Sequence, residues 1–168
     1  NFRTGADYYV SKESVLGTVL TLNFREAEST SNNITPIIDR NTSVTDSILR
    51  APNSSENNSF NLNANVNYRY KDTLGTSFSA DLDYGRYSRD RFNNQPNFYT
   101  TPTGEVLNAN ITFQETPIDI NIYAAKADYG QKLGKGTFEA GAKASKVVTD
   151  NTFNFFDVLN GVNNLNVD

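Results

Sequence analysis

The sequence predicts an all-β protein, an antiparallel up-and-down meander of about six strands. Apolar and polar residues alternate strictly in several segments, most clearly in FNLNANVNYRY at residues 60–70. An alternation with a period of two places the two residue types on opposite faces of a strand. Tight turns also alternate with long polar stretches along the chain. No run approaches the roughly 18 apolar residues that a membrane-spanning helix needs.

The strands are predicted in three hairpins. The first covers about residues 5–24 and turns at SKES, which lacks glycine. The second covers about 60–87 and turns at KDTLG, and the third covers about 118–148 and turns at QKLGKG. Glycine is favoured in such turns because it adopts positive φ at little cost. Long loops are predicted at about 25–59, 88–117 and 149–168, with a small hairpin around Gly104 inside the second loop.

The first strand of the third hairpin changes phase. Ile118, Ile120 and Ile122 share one face, whereas the other face carries Tyr123, Ala125, Ala127 and Tyr129. Two interpretations are open. A β-bulge near Ile122 would bring both sets to one face. Alternatively, the strand rises beyond a membrane, where either face can be polar or apolar.

Composition narrows the classes of function. The chain of 168 residues contains no Cys, His, Met or Trp, and about one residue in seven is Asn. The usual neutral-pH base and thiolate chemistry are therefore missing. The net charge of −4 argues against a nucleic-acid partner. We expect no enzymatic activity, no catalytic residue, no metal site and no cofactor.

The order of short and long connections indicates what the apolar face contacts. Outer-membrane β-barrels have short periplasmic turns and long extracellular loops. The strand at residues 60–70, tilted by about 40°, would cover roughly 25 Å of height, which is the apolar band of such barrels. Tyrosines beside the short turns and Phe24 and Phe60 at the long-loop ends are placed like interfacial aromatic girdles. We therefore expect a section of a barrel in the bacterial outer membrane.

Alternation assigns side chains to the two faces of the barrel wall. The residues expected to face a water-filled lumen are Asn61, Asn63, Asn65, Asn67, Arg69, Asp81, Asp83, Glu139 and Lys143. The residues expected to face lipid are Leu62, Val66, Tyr68, Leu82, Ala140 and Ala142. Six strands would leave two unpaired edges, which lipid does not tolerate, so further strands of the same barrel are expected as partners.

Each of three polar groups could have a function or only a structural role. Asp81 and Asp83 have the spacing of a hydrolase pair or a hard-cation site, but also of two acids in a wet channel. The run RYSRDR at residues 86–91 could bind an anion or form local ion pairs at a strand end. The asparagines from Asn61 to Asn67 could line a sugar path or serve only as an uncharged polar wall.

The hairpins resemble a known family. The first hairpin, GADYYVSKESVLG, is similar to a hairpin of Bacteroidetes outer-membrane β-barrels related to TonB-dependent receptors. The matching residues are Gly5, Asp7, Tyr8, Ser11, Lys12, Leu16 and Gly17. Four later segments resemble successive strands and turns of the same family, namely SADLDYGRY, AAKADY, LGKG and EAGAKAS. The resemblance implies nutrient binding or uptake at the cell surface by a barrel of about 22 strands with an N-terminal plug. It also implies an energy-coupling protein and a surface lipoprotein as partners.

This sequence shows no plug, no coupling motif and no barrel-closing strand, so we expect residues 1–168 to be a middle section of the barrel. The alternative is a secreted or surface-attached soluble β-sandwich that binds a glycan or a protein partner. It would use the same alternation, with the apolar faces of two sheets packed on each other.

Overall fold

The described part of the chain is one antiparallel β-sheet. The computed structural model describes residues 1–159 and 161–166. Across these residues, no helix is long and apolar enough to span a membrane. The nine strands are β1 (Phe2–Tyr9), β2 (Ser14–Ile38), β3 (Thr45–Lys71), β4 (Thr76–Thr100), β5 (Val106–Glu115), β6 (Ile118–Leu133), β7 (Gly136–Asn151), β8 (Asn154–Leu159) and β9 (Val162–Asn166). The predicted all-β antiparallel meander is confirmed, but the described residues form nine strands and not about six, because β5, β8 and β9 lie in segments predicted as loops.

Strand β4 is the branch point of the sheet. The strand order runs β1-β2-β3-β4-β5-β8-β9, and β6 also pairs with β4 and with β7. The register of β5 on β4 runs from Phe92 opposite Glu115 to Thr100 opposite Val106. Strand β5 therefore uses the second half of β4.

The chain divides into two compact units. Unit 1 consists of Asn1–Phe24, Ser59–Ser88 and Ile118–Asp150, and unit 2 consists of Arg25–Asn58, Arg89–Pro117 and Asn151–Asp168. These segments nearly coincide with the predicted hairpins and the predicted long loops, respectively. Strands β2, β3 and β4 contribute residues to both units.

The content of unit 2 corrects the sequence prediction. The segments expected to be long loops are largely strands, because β2 continues to Ile38, β3 begins at Thr45 and β4 continues to Thr100. Clusters of Asn, Ser and Thr between alternating segments are typical of loops, so the composition of these segments predicts loops. A β-ladder is held by backbone hydrogen bonds, however, and forms without an apolar face. Residues 160, 167 and 168 of the predicted loop 149–168 lie outside the described residues.

The hairpin expected around Gly104 is present. It joins β4 to β5, and Phe98 lies opposite Ala109 in the register. The Thr101 amide donates to the Glu105 carbonyl across 2.8 Å, and Gly104 has φ of 98°. A positive φ of this size is a conformation that glycine adopts freely.

The short turns of unit 1 are closed by side chains as well as by glycine. In the SKES turn, the Ser11 and Ser14 hydroxyls are 2.8 Å apart and the Ser11 hydroxyl accepts from the Glu13 amide. In the next turn, the Asp72 carboxylate accepts from the amides of Thr76 at 2.7 Å and Leu74 at 2.9 Å. The bond from Thr76 is the main cause that lowers the pKa of Asp72. The ionised carboxylate therefore stabilises this turn until the pH falls through that lowered pKa.

The side chains of β6 alternate between the two faces of the sheet without interruption in unit 1. A Cβ built on Gly85 would lie 3.7 Å from Ile122, and one built on Gly130 would lie 2.7 Å from the Ser77 hydroxyl. The two contacts are eight residues apart on β4 and eight residues apart on β6, which leaves no extra residue for a bulge between them. The bulge interpretation is therefore wrong, and Ile122 lies on the face opposite to Tyr123.

In the residues that the structure describes, neither face of the sheet forms a hydrophobic core. The buried residues among those described are mostly small: Ser14, Gly17, Ser47, Ala51, Pro96, Thr100, Thr112 and Gly130. Large apolar side chains remain exposed, including 61% of Leu82 and 44% of Val66. A sandwich would bury such side chains between two packed sheets, so the fold does not support the sandwich alternative.

Candidate functional site

The candidate site lies on the face of unit 1 that carries the asparagines of β3, which we call the polar face. The Asn65 amide donates to the Asp83 carboxylate across 2.7 Å, so β3 and β4 place these side chains on the same face. The Ser79 hydroxyl donates weakly, at 3.4 Å, to Asp128 of β6. A Cβ built on Gly141 of β7 would lie 2.6 Å from the same carboxylate. Polar groups of four strands therefore meet on one surface.

Alternation then places every residue predicted to face the lumen on the polar face. Strand β3 contributes the four asparagines and Arg69. Strand β4 contributes Asp81 and Asp83, and β7 contributes Glu139 and Lys143, which flank Gly141. That these side chains face a lumen stays a prediction.

The asparagines form an ordered row. The Asn63 amide donates to Asn61 across 2.9 Å, and the Asn67 amide donates to Asn65 across 2.8 Å. Each amide group keeps further donor or acceptor capacity for a solute. The row is therefore a preformed polar wall, and a sugar path along it stays a prediction.

A hollow of about 550 Å³ opens on the polar face near the short turns. Its volume is within the range of about 300–1,000 Å³ that is usual for small-molecule sites. Gly130 and Gly141 make room in its floor, because side chains there would meet Ser77 and Asp128. The side chains of the polar face that line it are Arg69, Lys71, Ser77, Ser79, Asp128 and Glu139.

The charges in the hollow are separated by strand. The cations Arg69 and Lys71 belong to β3, hydroxyls line β4, and the acids Asp128 and Glu139 belong to β6 and β7. Asp128 is also held by Lys126, whose ammonium lies 2.6 Å from its carboxylate. Such a lining can hydrogen-bond a solute that carries both donors and acceptors, or charges of both signs.

Sequence reasoning found only part of this hollow. Arg69 and Glu139 are among the residues predicted to face the lumen, whereas Lys71, Ser77, Ser79 and Asp128 are not among them. The signal was present, because Ser77 and Ser79 are in phase with Asp81, and Asp128 is out of phase with Tyr129. The phase change in β6 hid Asp128 from the pattern.

The other polar groups have simple structural roles. Asp83 is hydrogen-bonded to Asn65, and no group of three or more acidic side chains in the described residues could hold a metal ion. Arg86 donates twice to Asp119 of β6, at 3.0 and 2.7 Å, rather than pairing locally within RYSRDR. The same face as Arg86 carries the Tyr84 hydroxyl, which donates to Asn121 across 2.8 Å.

The opposite side of unit 1, which we call the apolar face, carries paired aromatic rings. Ring centroids are 4.9 Å apart for Phe24 and Phe60, and 5.2 Å apart for Tyr84 and Tyr123. Tyr68 lies 6.3 Å from Phe78. Alternation places the predicted lipid-facing residues on this face: Leu62, Val66, Tyr68, Leu82, Ala140 and Ala142. Their contact with lipid stays a prediction.

Comparison with known proteins identifies the family to which this β-sheet protein belongs. Residues 69–168, more than half of the chain, match the outer membrane protein beta-barrel family. The chain belongs to this family. The predicted barrel architecture and the location in the bacterial outer membrane are thereby confirmed. A search of curated proteins finds no match.

Two features of this outer-membrane β-barrel chain follow from its strands. Strand β3 has 27 residues and β2 and β4 have 25 each, whereas a tilted membrane strand needs about 9–11. In the described residues the sheet is also open, since β1, β7 and β9 each pair with one strand only. Unpaired strand edges are not tolerated in lipid.

Proposed function

We propose that the chain is one section of the wall of a TonB-dependent-receptor-like transport barrel of the Bacteroidetes type, which binds and takes up a nutrient at the cell surface. The hollow on the polar face is the observation that carries this proposal. It combines cations, hydroxyls and acids over about 550 Å³ of space. The nutrient is a small polar solute, either rich in hydroxyls or carrying charges of both signs.

The proposed orientation follows from the two faces. The polar face lines the lumen and the apolar face contacts outer-membrane lipid. The short turns at residues 10–13, 72–75 and 134–135 lie in the periplasm, and the connections predicted as long loops at about 25–59, 88–117 and 149–168 lie on the cell-surface side. The length of β2, β3 and β4 supports this orientation, because the membrane accounts for less than half of their residues.

The proposed partners complete the barrel. Its remaining strands pair with the open edges of the sheet, a plug fills the lumen, and an energy-coupling protein and a surface lipoprotein act with it. The chain is not an enzyme, and the charged groups of the hollow act by hydrogen bonding to the solute. Its role is transport.

The test uses the full-length protein in its own cell. A deletion strain is grown on single carbon or nitrogen sources at limiting concentration to find the nutrient class that needs the protein. The strain is then complemented with wild type, Arg69→Ala or Glu139→Ala. Each variant should lower nutrient uptake about tenfold or more, because hydrogen bonds to charged groups contribute about 1.5–3 kcal/mol each.

The control is Lys135→Ala, in the turn between β6 and β7 and outside the hollow, which should take up the nutrient like wild type. Uptake should also stop when the proton-motive force is collapsed. Variants that transport as well as wild type at limiting nutrient would contradict a role for the hollow. Uptake that continues without the proton-motive force would contradict energy coupling.

A further inference from the structure

The apolar face of unit 1 contains a groove that the proposed transport does not use. Its volume is about 450 Å³, and β4, β6 and β7 line it. The side chains of the apolar face that line it are Leu82, Tyr123, Ala125, Ala144 and Lys146. It is therefore separate from the hollow, which opens on the polar face.

The groove exists because alanines stand side by side on two strands. A Cβ built on Gly130 would lie 3.8 Å from Glu139, and one built on Gly141 would lie next to Asp128. Both contacts indicate the same pairing register between β6 and β7. This register places Ala125 beside Ala144 and Ala127 beside Ala142. The small side chains leave a furrow along β6 and β7, with the larger Leu82 at its side.

One end of the groove is cationic. Lys146 lies at the end farther from the short turns, on the same face as the alanines. The ion pairs of the described residues are Arg86–Asp119 and Lys126–Asp128, so Lys146 belongs to neither. An anionic group at this end of the groove would therefore meet an ammonium group that has no partner within the described chain.

We propose that this groove is a binding site for a single lipid with a phosphate head group, whose acyl chain lies along the alanine furrow and whose phosphate pairs with Lys146. The location of the protein in the outer membrane supplies the lipid. The furrow provides apolar contact along a chain, and the charge at one end selects an anionic head. The inference depends on the proposed assignment of the apolar face to lipid.

The test is native mass spectrometry of the full-length protein in a neutral detergent. The protein is titrated separately with dioleoyl-phosphatidylglycerol and with dioleoyl-phosphatidylcholine. One phosphatidylglycerol should bind clearly more tightly than any phosphatidylcholine. Lys146→Gln should weaken phosphatidylglycerol binding about fivefold, the usual effect of one cation near an anionic lipid surface, and leave phosphatidylcholine binding unchanged.

Lys143→Gln is the matched control, since Lys143 belongs to the same strand but to the polar face, and it should not alter lipid binding. Ala144→Leu should fill the furrow and weaken the binding of both lipids. Leu82→Ala, which removes the side of the groove, is a second variant with the same expected direction. Equal affinity for the two lipids in wild type, or equal effects of Lys143→Gln and Lys146→Gln, would overturn the proposal.

A second experiment distinguishes a failure of the lipid site from a failure of the proposed function, which assigns the apolar face to lipid. If Val66→Arg blocks membrane insertion while no selective lipid binds, the apolar face contacts lipid and only the specific site is wrong. If Val66→Arg inserts normally, the face assignment itself is wrong, and the lipid site fails with it.

Discussion

Glycines mark the places in unit 1 where strands leave little room above the backbone. A Cβ built on Gly17 would lie 2.7 Å from the Asp7 carboxylate and 2.8 Å from the Asn67 amide oxygen. These are the ends of flexible side chains, which can move aside. Gly75 differs, because its φ is 95° and a Cβ there would lie 2.7 Å from the Lys132 Cβ. At Gly75 both the backbone conformation and the space therefore require glycine.

Gly75→Ala should destabilise the folded protein by about 1–2 kcal/mol from the positive φ alone, with an added cost from the contact with Lys132. The measurement is the free energy of unfolding by urea in lipid vesicles. Gly104→Ala is the informative comparison, because Gly104 has φ of 98° and nothing within 4 Å of a built Cβ. The difference between the two variants isolates the contact with Lys132. Equal losses for both would mean that the Lys132 contact costs nothing.

The strands of unit 1 show how alternation assigns faces and where it is ambiguous. In β3, every even residue from Phe60 to Tyr70 is apolar or aromatic and every odd residue is polar. In β6, the isoleucines lie on the polar side of the sheet and the alternation continues without a bulge. Asp119 and Asn121 accordingly lie on the face of Tyr84 and Arg86, to which they are hydrogen-bonded. The apolar band of β6 therefore begins at Tyr123.

Val66→Arg should destabilise the inserted barrel by about 2–4 kcal/mol if Val66 lies near the midplane of the bilayer, since a charge on the lipid face is costly there. Asn65→Arg is the matched control, because the neighbouring side chain lies on the polar face beside the Asp83 carboxylate. Heat-modifiable electrophoresis and urea unfolding in vesicles report folding of both variants. A Val66→Arg protein that inserts and unfolds like wild type would argue strongly against the lipid-facing assignment.

The whole molecule exposes apolar surface that a soluble protein would bury. Within the described part of the chain, Ala51 is the only buried hydrophobic residue, whereas the side chains of Leu82 and Val66 are exposed. The described sheet is also open at its edges. Lipid and further strands are the two surroundings that satisfy these requirements in an outer-membrane barrel.

The isolated 168-residue chain should therefore be β-rich and folded only in micelles or together with its remaining strands. Circular dichroism and size-exclusion chromatography, each with and without detergent, measure this directly. A sharp monomer that unfolds cooperatively in plain buffer would show that the apolar face is covered by protein. In that case the lipid-facing assignment and the lipid site on the same face would both fail.

The sequence by itself determined the all-β antiparallel class, the three hairpins of unit 1 and the composition of their faces, because a period of two is a local property of a strand. It also led to Arg69 and Glu139 on the polar face. The strands of unit 2 depended on backbone pairing between distant segments, such as β5 with β8, and polar side chains carry no local signal of that pairing. Only the tertiary structure brought Lys71, Ser77, Ser79 and Asp128 together in one hollow, because their meeting depends on the register of three strand pairs. The alanine furrow beside Lys146 also depended on the tertiary structure, because the register of β6 and β7 places their small residues next to one another.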